Sequence, residues 1–318
     1  MIKPTVFPIP VNYFSISLGL LSLGLAWRGA ANVLPDTSAL IGEGILAAGG
    51  ITWSLFLGIY VYKWLCCKDS AQHELQDIIQ CCFISLIPIT TILMGMALLP
   101  YSVLAAKGFV FIGIIAAMLF AAYRSGGLWR GTHVLDATTH VIYLPTVASS
   151  FASASALGAL GLSDWGLLFF GAGAFSWLGL EAAILQRLRT GTLLPPPLRG
   201  VIGIQLAPPF VGCAAYLAVT GGQVDLAAKM LIGYGLLNLL FLLRLLPWIL
   251  EKGFGVSMWA FSFGLGSMAA VGVRLQTSAA GMELGSLGSI LFWSGSLLIA
   301  CLFLATLWMI VRGRFLVR

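Results

Sequence analysis

The sequence predicts an all-α integral membrane protein, because its composition, its long apolar runs and its placement of basic residues agree. Hydrophobic residues make up 59% of the 318 residues and charged residues only 9%, with a mean hydropathy of +1.00. A soluble domain carries roughly 25% charged residues, so this chain cannot cover itself with a surface that water solvates. We therefore expect one transmembrane domain over residues 1–318 and no soluble domain of any size.

Ten apolar runs are long enough to cross a bilayer. A helix needs about 20 residues to cross a hydrocarbon core of ~30 Å, because each residue rises 1.5 Å. Proline, glycine or charged residues separate the runs. In chain order, the predicted spans 1 to 10 are Tyr13–Val33, Leu40–Leu65, Cys81–Leu99, Ser102–Arg124, Val141–Leu160, Trp165–Gln186, Gly200–Val219, Leu226–Trp248, Gly255–Val273 and Leu287–Val311.

Basic residues alternate with these spans. Thirteen of the 17 lie at the termini or after even-numbered spans: Lys3, Lys63, Lys68, Arg124, Arg130, Arg187, Arg189, Arg199, Arg244, Lys252, Arg312, Arg314 and Arg318. The connections after odd spans hold the other four: Arg28, Lys107, Lys229 and Arg274. The positive-inside rule then predicts that both termini are cytoplasmic. The net charge of +6 is explained by topology, so we expect membrane lipid rather than nucleic acid as the partner of these residues.

Odd and even spans differ in their prolines and hydroxyls. Pro88, Pro145 and Pro208 lie inside spans 3, 5 and 7, at a common depth of about 9–14 Å from the cytoplasmic side. A proline inside a helix removes a backbone hydrogen bond, which membranes tolerate where the backbone is buried in protein or lines a cavity. We infer an inner set of odd helices with a shared bend and an outer, lipid-facing set of even helices. The alternative is that proline and serine only make packing contacts.

Two ionisable residues lie at membrane depth, and both belong to even spans. Glu181 in span 6 and Arg244 in span 8 have similar predicted depths, which favours a structural ion pair. The alternative is proton-coupled transport through Glu181. The odd spans carry no carboxylate or histidine in mid-membrane, so passive conduction is favoured. Hydroxyls and peptide dipoles without fixed negative charge suit anions better than cations.

No enzyme, cofactor or metal site is predicted. The pairs Cys66-Cys67 and Cys81-Cys82 lack the two-residue spacer usual in zinc sites, and packing at span ends is the favoured interpretation. The run from Gly264 to Ala269 matches G-x-G-x-x-A, but it lies in a membrane helix with no preceding strand. No histidine lies where a nucleophile–base pair can be proposed. We therefore expect no catalytic residues and no cofactor.

Segments along almost the whole chain resemble the TehA branch of the tellurite-resistance/dicarboxylate transporter family, which includes the slow-type anion channel of plant guard cells. The segments that carry this resemblance are residues 143–148 (YLPTVA), 184–189 (ILQRLR), 203–208 (GIQLAP), 221–231 (GGQVDLAAKML), 233–237 (GYGLL), 243–248 (LRLLPW) and 259–264 (WAFSFG). They occur in order, so the resemblance is specific.

The resemblance implies five helical hairpins in a ring, with odd helices lining a central pore and even helices outside. It also implies a homotrimer in the bacterial inner membrane, and a phenylalanine on the ninth helix that closes the pore. The matching residue is Phe263. Phe261 lies ~200° away around the helix, so only one of the two can face the axis. The pore-lining candidates are Ser15, Gly19, Pro88, Pro145, Ser149, Pro208 and Gly264.

Two positions depart from the family pattern. Relatives commonly have Gly-Tyr-Phe-Gly in the first helix, where this chain has Ser15 in the last place. In the fifth helix Ser149-Ser150 replaces a frequent Asn-Asn. Both changes bear on conductance and ion preference.

We expect a passive channel or uniporter for small monovalent anions such as chloride and nitrate, occluded by Phe263. The main alternative is a proton-coupled or exchange carrier of dicarboxylates or tellurite-type oxyanions. A second alternative is an efflux protein for tellurite or lipophilic cations, which the family's name suggests.

Overall fold

Ten helices that are long and apolar enough to cross a membrane make up the fold, as the sequence predicted. The computed structural model describes residues 7–34, 37–131, 133–277 and 281–316, without the side chains of residues 281–283. Lys3 and Arg318 of the basic-residue pattern lie outside the described residues. The part of the chain that is described contains helices and connections and no β-strand.

Each of the five even spans is one continuous α-helix. They are span 2 (Ala39–Cys66), span 4 (Val103–Leu128), span 6 (Ser163–Thr190), span 8 (Leu226–Ile249) and span 10 (Leu284–Val311, within the helix Gly281–Val311). The first four have 24 to 28 residues, or about 36–42 Å at 1.5 Å per residue. A single even helix is therefore long enough to cross the hydrocarbon core.

Every odd span is broken near its N-terminal end. Span 1 has a 3-10 turn at Val11–Tyr13 before the α-helix Phe14–Ala31, and span 3 joins Gln80–Phe83 to Leu86–Leu98. Span 5 runs through a 3-10 turn at His140–Ile142 and a π-helical turn at Leu144–Ala148 into Ser149–Ala159. Span 7 has 3-10 helix at Pro196–Leu206 before Ala207–Val219, and span 9 has it at Val256–Phe261 before Ser262–Thr277.

The prolines of the odd spans lie at these breaks. Pro145 is in the π-helical turn, and Pro208 is the second residue of its α-helix. Pro88 is the third residue of the helix Leu86–Leu98. A proline in the first turn of a helix removes a donor that has no intrahelical acceptor. The prolines therefore start the α-helices of the odd spans instead of bending them in the middle.

Burial separates the two sets of spans. In an 18-residue stretch of each odd span, 72–83% of residues are buried, against 17–33% in the even spans. Each odd span contacts the even span that follows it. Span 1 also contacts span 3, span 3 contacts span 5, span 5 contacts span 7, span 7 contacts span 9, and span 9 contacts span 1. The odd spans therefore form the core, and the even spans cover them.

Both ends of the described chain meet at one end of the bundle, which we call the terminal end. The hydroxyl of Tyr13 donates to the carbonyl of Phe315. Nearby, the Nζ of Lys63 in span 2 donates to the carbonyl of Ile9 at 2.9 Å and to Oε1 of Glu74 at 2.8 Å. Glu74 lies on the connecting helix Lys68–Gln76. This buried ion pair attaches that connection to the segment that enters span 1.

Candidate functional site

A cavity of about 590 Å³ lies among the odd spans, toward the end of the bundle opposite the terminal end. Its lining residues come from spans 1, 3, 5, 7 and 9 and from the connections that follow spans 1 and 7, namely Asn32, Val33, Gly221 and Gly222. No even span contributes to the lining that the structure describes. The five inner helices therefore enclose a chamber that reaches the loops at the end of the bundle opposite the terminal end. We call this opposite end the far end.

Phe263 borders this cavity, whereas Phe261 does not. Phe263 is the first residue of span 9 to reach the cavity, and its side chain is buried. The ring of Phe261 instead packs on Gly203 of span 7, where an added Cβ would lie 2.2 Å from its Cδ2. Of the two phenylalanines, Phe263 is thus the one at the inner limit of the cavity.

The cavity wall is built mostly from small and apolar side chains. Alanine, glycine, valine, leucine and methionine supply most of it, together with Phe263. The polar lining residues are Ser22, Asn32, Ser155, Ser267, Arg274 and Thr277. Arg274 carries the one charge among the described lining residues, and that charge is positive. Ser22 and Thr277 donate to carbonyls of their own helices. The lining therefore offers an anion the hydroxyls of Ser155 and Ser267 and the cation of Arg274, without a described carboxylate that would repel it.

None of the seven predicted pore-lining residues borders the cavity. Two of them, Ser15 and Ser149, direct their hydroxyls at their own spans. Ser15 donates to the carbonyl of Asn12 at 2.7 Å, and Ser149 donates to the carbonyl of Leu144 at 3.0 Å. The hydroxyl proton of Ser15 is therefore already engaged with the backbone.

Gly19 and Gly264 are contact points between neighbouring spans. A Cβ on Gly19 would lie 2.5 Å from the Cβ of Ser262, and one on Gly264 would lie 2.8 Å from the Cβ of Leu206. Both glycines therefore allow close helix approach, and their predicted place on the pore wall stays a prediction. The three prolines, Pro88, Pro145 and Pro208, are buried and precede the residues at which their spans reach the cavity.

Glu181 accepts four hydrogen bonds from four consecutive spans. Its Oε2 accepts from the hydroxyl of Tyr143 in span 5 and from Nε1 of Trp177 in span 6 at 2.8 Å. Its Oε1 accepts from Nε2 of Gln205 in span 7 at 2.7 Å and from the hydroxyl of Tyr234 in span 8. A carboxylate has about four lone-pair positions, so these donors suit its ionised form. Glu181 thus joins two outer helices to two inner helices beside their breaks.

The predicted ion pair between Glu181 and Arg244 is not formed. The ion pairs among the described residues are Arg28–Glu43, Lys63–Glu74 and Arg199–Glu251. Arg244 is exposed on span 8, while the acceptor positions of Glu181 are taken by neutral donors. Similar depth on even spans did not make the two residues neighbours, because Glu181 points toward the inner helices.

The sequence reasoning missed the residues that do line the cavity. Ser22, Ser155 and Ser267 were recognisable only as members of a larger set of hydroxyls in odd spans. Arg274 was assigned to a connection, since a basic residue near a span end satisfies the topology rule. For Ser267 and Arg274, the signal that would have found them is the helical spacing of small and polar residues after Phe263 in span 9.

Comparison of the sequence with known proteins finds one matching family model and similar proteins from a bacterium and a plant. The family model described as "SLAC1: Voltage-dependent anion channel" matches residues 8–313. The "Tellurite resistance protein TehA homolog" of Haemophilus influenzae is 40% identical over 313 residues, covering 98% of this chain and 94% of that protein. The "S-type anion channel SLAH3" of Arabidopsis thaliana is 23% identical over 86% of this chain and 44% of its own length. For "S-type anion channel SLAH2" from the same plant the values are 23%, 88% and 55%.

Proposed function

The chain belongs to the SLAC1 family of voltage-dependent anion channels, and from that membership we propose that it is a passive channel for small monovalent anions such as chloride and nitrate. The observation that carries the proposal is the cavity whose described lining comes only from the odd spans and their connections and contains one cation and no carboxylate. Such a lining attracts anions and binds them weakly enough to let them leave, which conduction requires.

We propose that Phe263 is the gate. The cavity extends from Phe263 toward the far end, and Phe263 is buried at its inner limit. Rotation of one aromatic side chain disturbs fewer contacts than movement of a packed helix. Removal of the ring is therefore expected to open the path without loss of the fold.

The arrangement that this proposal requires is a ring of five hairpins, with a pore among the odd spans. The contacts that lead from span 1 through spans 3, 5, 7 and 9 back to span 1 support it. We further propose a homotrimer in the bacterial inner membrane with both termini cytoplasmic. Sizing of the detergent-solubilised protein tests the trimer, and a reporter fused after Arg318 tests the orientation.

Voltage-clamp currents of the wild type, Phe263→Ala and Phe261→Ala in chloride and nitrate, at two external pH values, test the function. Phe261→Ala is the matched control, because it removes an equal ring that packs on Gly203 outside the cavity. We expect a larger, pH-insensitive current in Phe263→Ala that reverses near the anion equilibrium potential. A folded Phe263→Ala protein without added current would contradict the gate. A reversal potential that follows the proton gradient would contradict passive conduction.

A carrier of tellurite-type oxyanions or dicarboxylates is the second candidate, because a relative that is 40% identical is described as a tellurite resistance protein. A proton-coupled carrier would use a titrating group on the transport path. Glu181 is the carboxylate at membrane depth, but it does not border the cavity. Export that depends on tellurite and collapses in Glu181→Gln, without steady current, would favour this candidate.

A further inference from the structure

One face of span 9 follows the cavity along its whole depth. Phe263, Ser267, Ala270, Arg274 and Thr277 all border the cavity, and they recur at intervals of four and three residues. Residues at this spacing lie on one side of an α-helix. The face therefore presents, in order from the inner limit to the far end, an aromatic ring, a hydroxyl, a methyl group, a guanidinium and a second hydroxyl.

Ser267 is the buried donor on this face. Its side chain is only 6% exposed, it borders the cavity, and its hydroxyl donates to no residue that the structure describes. It lies one turn beyond Phe263, about 6 Å along the helix axis. Because this hydroxyl faces the cavity with its proton uncommitted, it can donate a hydrogen bond to an anion held there.

Arg274 holds the positive charge at the mouth. It lies about 10 Å farther along the same face. A Cβ on Gly222 would lie 3.8 Å from its Nη1, so the guanidinium extends from span 9 toward the connection after span 7. None of the ion pairs among the described residues includes Arg274. Asp225 in the same connection accepts instead from the backbone N of Ala228 at 3.0 Å and from the Tyr216 hydroxyl.

We propose that Arg274 and Ser267 form two successive binding positions for a small monovalent anion, the first at the far mouth and the second directly outside Phe263. The inference rests on the proposed channel function and adds to it the positions at which the ion pauses. A guanidinium offers a planar fork that matches a planar oxyanion, so the outer position favours nitrate over chloride. The hydroxyl at the inner position has no such fork, so it can donate a hydrogen bond to either ion.

Currents in the Phe263→Ala background test the outer position. One unit charge at about 4 Å in water contributes about 1 kcal/mol. Arg274→Gln is therefore expected to raise the half-saturating chloride concentration about fivefold at low ionic strength, and less at high ionic strength because salt screens the charge. Arg274→Lys should retain the chloride value and lose the preference for nitrate. Lys229→Gln is the matched control, because Lys229 is an exposed cation at the far end that does not border the cavity.

Binding to the purified protein tests both positions without conduction. Chloride and nitrate are expected to raise the melting temperature of the wild type, because a ligand that binds the folded state stabilises it. The rise should be smaller in Arg274→Gln and in Ser267→Ala, and unchanged in Ser176→Ala, whose hydroxyl is on span 6 away from the cavity.

The outcomes separate the inference from the function. Conduction in Phe263→Ala with the same half-saturation and the same anion-dependent melting in Arg274→Gln and Ser267→Ala would overturn the binding positions and leave the channel standing. No current in Phe263→Ala, together with anion-dependent stabilisation that both variants reduce, would overturn the channel and retain the binding positions.

Discussion

The two halves of the inner bundle are built in opposite ways. Toward the terminal end the odd spans are irregular, because spans 1, 5, 7 and 9 have 3-10 or π-helical segments there and span 3 is divided into two α-helical segments. This half carries large buried side chains such as Trp259 and Tyr143, and its spans touch through glycines. Toward the far end they are regular α-helices, carry mostly small side chains and enclose the cavity. The irregular backbone therefore coincides with tight packing, and the regular backbone coincides with open space.

This difference shows what makes the cavity. Broken helices do not create it, since the breaks lie in the packed half. It arises because five regular helices face each other with alanine, glycine and serine, whose side chains do not fill the space between the backbones. Phe263 lies at the boundary between the two halves. A single ring there separates a chamber from a packed wall.

The largest difference between packed and open surroundings is expected for two separate leucine substitutions at adjacent positions of span 9. Ala269 is fully buried, 3.2 Å from the position of a Cβ on Gly295, whereas Ala270 borders the cavity. Overpacking a filled core costs typically 1–3 kcal/mol and occasionally more, so we expect a loss of about 3 kcal/mol or more for Ala269→Leu. Ala270→Leu should keep the wild-type melting temperature and reduce the current of Phe263→Ala. Equal stability of the two variants would show that the cavity is not open space.

A single methyl group in the packed half tests the glycine contacts. In Gly264→Ala the new Cβ would lie 2.9 Å from the backbone C of Leu206 and 3.0 Å from the backbone N of Ala207. Backbone atoms cannot rotate away, so we expect a loss of about 2 kcal/mol. Gly179→Ala in span 6 is the control, because a Cβ there meets no atom within 4 Å. Thermal unfolding in detergent measures both, and a Gly264→Ala protein as stable as the control would contradict the contact.

Replacement of the carboxylate at Glu181 should have a smaller effect. In Glu181→Gln an amide NH₂, itself a donor, would replace one of the two carboxylate oxygens and face the two donors that bind that oxygen. Tyrosine hydroxyls can turn and accept, but Nε1 of Trp177 or Nε2 of Gln205 would lose its acceptor. We expect a loss of about 1 kcal/mol in thermal unfolding. Arg244→Gln should stay within about 0.5 kcal/mol of wild type. Strong coupling between the two substitutions in a double-mutant cycle would instead support an ion pair between Glu181 and Arg244.

The smallest effect is expected at the far surface, where Asp225 caps span 8. The backbone N–H of Ala228 and, next, the Tyr216 hydroxyl hold the pKa of Asp225 below its usual value. A lowered pKa stabilises the fold above the unfolded pKa of about 3.9, and this contribution is lost as the pH falls through the folded pKa. Asp225→Asn should therefore melt slightly below wild type at pH 7. The difference should shrink below pH 4, and a constant difference would contradict the role of the charge.

Much of the fold could be predicted from sequence, because lipid imposes simple rules. Span length, the alternation of basic residues and the prolines of spans 3, 5 and 7 predicted ten helices with a distinct inner set. The break in span 9 could not be predicted in this way, since no proline accompanies it. Pro10 directly precedes the 3-10 turn of span 1, but the prediction used only prolines inside the spans.

The candidate site was predictable only in part. Phe263 was identified through a resemblance to a family, and the structure places it on the cavity. Its proposed gating role remains a prediction. Ser15 and Ser149 were chosen for their hydroxyls, but a serine in a helix can donate to a preceding carbonyl of its own span, and the sequence does not show which serines do so. The partners of Glu181 come from four spans, and no local pattern announces such a convergence.

The broken inner helices bear on how the protein enters its membrane. In every consecutive pair of an odd and an even span, the odd span comes first and has the lower mean hydropathy. A helix with unsatisfied backbone N–H and C=O groups is unstable in lipid. An odd span by itself is therefore expected to leave the insertion machinery for the lipid only poorly. The even partner supplies both the missing hydrophobicity and the cover. We therefore expect each odd span to insert together with the even span that follows it, and insertion faults to concentrate where synthesis pauses between the two.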